Sequence, residues 1–174
     1  LALNLAAAAA GAMVIVNTVV DVRNLLGRSE DDVAIALACF GGGSMIAALS
    51  LPRLLDKLAD RQVMIAAAVL LLVGLLAMAG LTASAEVDHW IALLAVWAVL
   101  GVGYSAVLTP SGRLLRRSAS AEDRSALFAA QFALSHACWL VTYGVAGRGG
   151  AALGMPATLL VLAALAFAGL VMAV

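Results

Sequence analysis

The sequence predicts an all-α membrane protein: six transmembrane helices forming a single bundle over residues 1–174. Three observations predict it. Of the 174 residues, 65% are hydrophobic and 11% charged, more apolar material than a soluble domain can cover with polar surface. Six uncharged runs recur along the chain, each near the roughly twenty residues a helix needs to cross hydrocarbon. Short charged segments separate them, and there the chain must reach water and turn back. Backbone in lipid has to satisfy its own polar groups, so runs of this length are helices. A β-barrel would show shorter, alternating segments.

The helices are expected over about 1–22, 33–51, 63–83, 90–108, 126–145 and 157–174. The first carries Asn17, Thr18 and Asp21 toward its far end, where Arg23 is close enough to pair with Asp21 at the surface. It lacks a basic start and does not read as a signal peptide. Ser29-x-x-Asp32 before the second helix and Ser120-x-x-Asp123 before the fifth are capping-box pairs. Glu30, Asp31 and Asp32 then read as a solvated helix start rather than a cation site. The second helix contains Gly41-Gly42-Gly43-Ser44, and the small residues of Gly43-x-x-x-Ala47 let another helix approach closely. Arg53, Asp56, Lys57, Asp60 and Arg61 mark 51–65 as the loop to the third helix. The third and sixth helices are almost wholly Ala, Leu, Val, Met and Gly, suited to lipid on every side. The fourth aligns Trp97, Gly101, Tyr104 and Ser105 on one stripe and is expected to end at Thr109-Pro110. Trp90 at its start fits an interfacial aromatic belt. Pro156 sits in the first turn of the sixth, where its missing N–H costs nothing. The blandest helix is third in each group of three, which suggests a three-plus-three repeat.

Basic residues set the orientation. The loop after the second helix holds Arg53, Lys57 and Arg61, and that after the fourth holds Arg113, Arg116, Arg117 and Arg124. The positive-inside rule puts both loops, and with them both chain ends, on the cytoplasmic side.

The fifth helix carries most of the chemistry. At 100° per residue, Gln131, Ser135, Cys138 and Thr142 fall on one stripe and Phe132, His136, Trp139 and Tyr143 on the next. A membrane helix with a polar half turns that half to protein or water. The candidate solute-cavity residues are therefore Asn17, Trp97, Tyr104, Gln131, Ser135, His136, Trp139, Thr142 and Tyr143. Interhelical packing is the competing use of such groups. His136 is the ionisable residue deep in these runs, and it offers a site for a coupling proton. With neither a buried carboxylate nor a buried arginine expected, the solute reads as neutral or amphipathic. Cys39 and Cys138 lie in apolar runs without metal-site spacing, so no metal or cofactor is expected. Basic residues scattered over short loops exclude a nucleic-acid face. An intramembrane serine hydrolase would need Ser44 as nucleophile and His136 as base, but Met45 stands where such enzymes have glycine. The chain is read as a non-enzyme.

The loop segment Pro52-Arg53-Leu54-Leu55-Asp56-Lys57-Leu58-Ala59-Asp60-Arg61 resembles the G-x-L-A-D-R-x-G-R-R loop of major facilitator superfamily transporters. Asp56, Lys57 and Arg61 match in type; Pro52 and Ala59 replace the two glycines, and Asp60 replaces a basic residue. The shifted register Leu58-Ala59-Asp60-Arg61 puts the next helix too close. The resemblance implies the C-terminal six-helix half of a twelve-helix carrier, with an N-terminal six-helix half as its partner. It further implies a cavity lined by the first and fourth helices and in part by the second and fifth, and a small solute moved by alternating access, as efflux or uptake, in a lipid bilayer such as the bacterial inner membrane. A non-transporting six-helix scaffold is the alternative.

Overall fold

The alternation of apolar runs and charged turns is realised as helices throughout the computed structural model, which describes residues 1–84 and 89–173. Among these residues the helices are α1 (Ala2–Val19), α2 (Glu30–Leu55), α3 (Asp60–Ala83), α4 (Trp90–Ser118), α5 (Arg124–Ala152) and α6 (Met155–Val171). Five spans are long and apolar enough to cross a membrane, the first of them counted as Ala2–Leu25, while α6, with 17 residues, is shorter. The expected end of the sixth helix at Val174 lies outside the described residues.

Helix ends differ from the hydropathy boundaries for identifiable reasons. Past Val19, α1 loosens into a π-helical turn, Val20–Leu25. The helix α2 runs on through Pro52 to Leu55, and α4 through Pro110 to Ser118. Neither proline ends its helix, because the surrounding turns hold the chain helical. Arg116 and Arg117 occupy the last turn of α4, where cations suit the helix dipole. The loop of 51–65 thus shrinks to the few residues between α2 and α3. Ser29 and Asp32 form the expected capping box. Ser120 accepts from the Asp123 N–H at 3.1 Å, but α5 begins only at Arg124.

The most enclosed helix is α1, which touches each of the other five. The small side chains Ala6, Ala7, Ala8, Ala9 and Ala10 are all essentially inaccessible and let its neighbours close in from every side. The broadest contact joins α2 to α4. A Cβ on Gly43 would overlap the Ala98 carbonyl oxygen, and one on Gly101 would overlap the Phe40 carbonyl oxygen. The packing reading of Gly43-x-x-x-Ala47 therefore matches the crossing found here, with both residues buried against α4. The helices α3 and α6 do not meet lipid on every side as expected. They pack on each other, α3 also on α4 and α6 also on α1, burying Leu71, Leu75 and Met78 and Leu159, Leu162 and Ala166.

Candidate solute cavity

Both α4 and α5 lean on α1 but scarcely touch each other. The gap between them is a cavity of about 490 Å³, lined by residues from the start of α1 and the second half of α4. Its floor comes from Asn4 and Ala7 of α1, and its walls come from Tyr104 to Leu115 of α4 and Phe128 to Trp139 of α5. Of the expected residues, Tyr104, Gln131, Ser135, His136 and Trp139 gather here. None of the lining side chains is an Asp, Glu, Lys or Arg.

The aromatic side chains form two groups. The Tyr104 ring meets Phe40 at 5.6 Å on one side and Trp139 edge-on at 6.2 Å on the other. Trp139 in turn stacks on Tyr143 at 5.0 Å, and Phe132 on His136 at 4.0 Å. A Cβ on Gly11 would run into the Trp139 ring, so this glycine sets how deep the indole sits. Ser135 donates to the Phe132 carbonyl at 2.8 Å, and His136 Nδ1 lies 2.8 Å from the same oxygen.

The other expected residues serve the packing. Trp97 is fully buried and donates Nε1–H to Thr18 Oγ1 at 2.8 Å, so it does not bracket a solute with Tyr104. Asn17 is buried and donates to the Ala146 carbonyl at 3.2 Å, tying α1 to α5. Thr142 is buried and donates to the Cys138 carbonyl at 3.0 Å. Tyr143 reaches the cavity wall only through Trp139. Trp97 and Asn17 gain their hydrogen bonds from neighbouring helices and Thr142 from its own, which an apolar surrounding rewards. Ser44 of α2 and His136 share no hydrogen bond among the described residues, since the imidazole turns to its own helix.

Two acidic residues behave differently from expectation. Asp21 does not pair with Arg23, whose guanidinium instead meets Glu30 across the turn. Asp21 is fully buried in the π-helical turn, and neither carboxylate oxygen has a hydrogen-bond partner among the described residues. A buried carboxylate is therefore present after all. Asp60, at the first position of α3, is also buried, and here α4 supplies the counter-charge. Arg117 Nη1 stands 3.0 Å from Oδ2 and Arg113 Nε 3.5 Å from Oδ1. In the same segment, Asp56 and Lys57 are exposed in the turn after α2, and Arg61 donates to the Ala173 carbonyl at 3.0 Å. Asn4 and Ser111 are polar cavity residues that sequence reasoning missed, and Asn4 is the buried one. Its signal was the spacing Asn4, Ala7, Gly11, one helical stripe of small residues with a polar end.

Apolar helices of membrane-crossing length around a solvent-open, uncharged cavity define a polytopic membrane protein of the transporter class. The family model of the Major Facilitator Superfamily matches residues 1–174, and the chain belongs to that superfamily, whose members are membrane transporters. No curated protein and no solved structure matches the chain.

Proposed function

We propose that the chain works as the C-terminal six-helix half of a secondary carrier, moving a small neutral or amphipathic solute by alternating access. The observation that carries this reading is the uncharged cavity between α4 and α5, flanked by two helices with largely uncovered faces. On α2, Met45, Ile46 and Leu49 are exposed, and on α5, Phe132, Leu140 and Val141. A second six-helix bundle seated on α2 and α5 would cover these faces and close the cavity, leaving the two bundles to rock about it. The three-plus-three repeat draws support from the packing: α1 meets α5 and α6 much as α4 meets α2 and α3. With six spans, the basic turns after α2 and α4 and both chain ends lie on the cytoplasmic side, of a bacterial inner membrane in this reading.

The test is solute access to the cavity wall. In a background lacking Cys39 and Cys138, Ser135→Cys in the lipid-embedded carrier is expected to react rapidly with a membrane-impermeant maleimide. Thr142→Cys, buried, is expected to react at least tenfold more slowly, and a transported solute is expected to protect Ser135→Cys alone. Equal and solute-insensitive labelling at the two sites would favour the scaffold alternative. The coupling proton is assigned to His136 in this reading. His136→Gln is expected to flatten the pH dependence of transport. An unchanged pH profile removes His136 from the mechanism.

A further inference from the structure

The polar groups of the cavity are not equivalent. Ser111 and Ser135 spend their hydroxyl protons on carbonyls of their own helices, Val107 at 2.9 Å and Phe132 at 2.8 Å. Gln131 is only partly buried and so remains open to water. Asn4 is 5% exposed, lines the cavity floor, and its side-chain amide makes no hydrogen bond among the described residues; Oδ1 is wholly enclosed and unpaired. Leaving a buried amide unsatisfied is costly, and native interiors avoid it unless something else occupies the position.

From this placement we infer that the Asn4 Nδ2–H group is the polar anchor of the cavity, and that the solute it takes is a neutral, flat ring system bearing a carbonyl acceptor such as that of a carboxamide or lactam. The carbonyl oxygen of the solute accepts from Asn4 Nδ2–H, while Oδ1, wholly enclosed, stays out of its reach. The ring lies against Tyr104 and Trp139, which line the same cavity and sit against Gly11, about two helical turns along α1 from the anchor. A charged head group finds no counter-charge among the lining residues and would lose its hydration without return. The inference rests on the carrier reading for its direction of use, but it concerns binding alone.

The experiment is equilibrium dialysis of tritiated 2-naphthamide against the chain in lipid nanodiscs, with empty discs subtracted. The comparison probes are 2-naphthoate, 2-naphthamidinium and 2-ethylnaphthalene. The amide is expected to bind on the order of tenfold more tightly than either ion. Asn4→Leu is expected to weaken the amide by roughly tenfold, the scale of one neutral hydrogen bond, and to leave 2-ethylnaphthalene unchanged. Trp139→Leu is expected to weaken all flat probes together. An ion that binds as tightly as the amide, or an amide that binds folded Asn4→Leu as tightly as the parent, overturns the inference. Where Asn4→Leu does not fold, the ranking of probes on the parent chain and the Trp139→Leu result decide alone. Selective amide binding without transport in proteoliposomes that also hold the six-helix partner half would sink the carrier reading and leave this one standing. Transport of a charged solute with no amide preference would do the reverse.

Discussion

Gly43→Val and Gly101→Val are each expected to drive α2 away from α4 and to destabilise the bundle by about 1–3 kcal/mol, toward the upper end of what overpacking costs. The reason is that the obstacle is backbone. A side chain added at Gly43 meets the Ala98 carbonyl, and one at Gly101 meets the Phe40 carbonyl; neither can rotate aside as the tip of a leucine would. Relief has to come from separating two helices along their whole contact, the broadest in the molecule. Gly41→Val supplies the control, because nothing stands within 4 Å of a Cβ at Gly41. Thermal unfolding of the purified chain, followed by tryptophan fluorescence, is expected to fall by roughly 5 °C or more for the first two variants. The control is expected to move by much less. Three equal shifts would mean that helix propensity, not the crossing, sets the result.

The contrast between those glycines marks what the sequence discloses. Hydropathy located every helix, because the cost of exposing backbone or charge to lipid is large and local. The spacing Gly43-x-x-x-Ala47 even showed which face of α2 is packed. It could not show the partner, since α4 announces its side of the crossing with a single glycine at Gly101. Similarly, the stripe of α5 pointed to Ser135, His136 and Trp139 at the cavity, yet the same periodicity admitted Thr142, which is buried with its hydroxyl on the Cys138 carbonyl. Rotation of a helix about its axis is set by the neighbours on all sides, and a single chain's pattern leaves it free by a residue or two. The alanines of α1 carried too little hydrophobic contrast to reveal that this helix is central. Asn4 was passed over for that reason. Asp21 and Asp60 were misread because a sequence shows charge but not the counter-charge brought to it by folding. Arg23, two residues from Asp21, went to Glu30 instead, while Arg113 and Arg117 arrive at Asp60 from more than fifty positions away.

The ion cluster at Asp60 yields the second large effect. Removing both arginines, in Arg113→Ala/Arg117→Ala, is expected to cost about 3–5 kcal/mol, the range for breaking a buried pair from one side. The asymmetry follows from burial. The Asp60 side chain is 4% exposed, whereas those of Arg113 and Arg117 are 28% and 64% exposed. Without the arginines the carboxylate has neither water nor a counter-charge, apart from the weak field of the α3 N-terminus. Without the carboxylate, both guanidinium groups still reach solvent, so Asp60→Asn is expected to be clearly milder than the double variant. Arg117→Ala alone is expected to cost less than about 1 kcal/mol, as an exposed partner does. Combining Asp60→Asn with the double arginine variant is expected to recover much of the loss, since the buried charge goes with its partners. Equilibrium unfolding of the four variants measures this directly. The ordering matters beyond stability, because Asp60 ties the start of α3 to the end of α4, while its neighbour Arg61 holds the Ala173 carbonyl beyond α6. At this end of the bundle a position expected to be basic carries an acid, and the arginines that answer it lie on α4. If Asp60→Asn proves as damaging as loss of both arginines, the contacts of its side chain with α4, rather than its charge, hold these helix ends together.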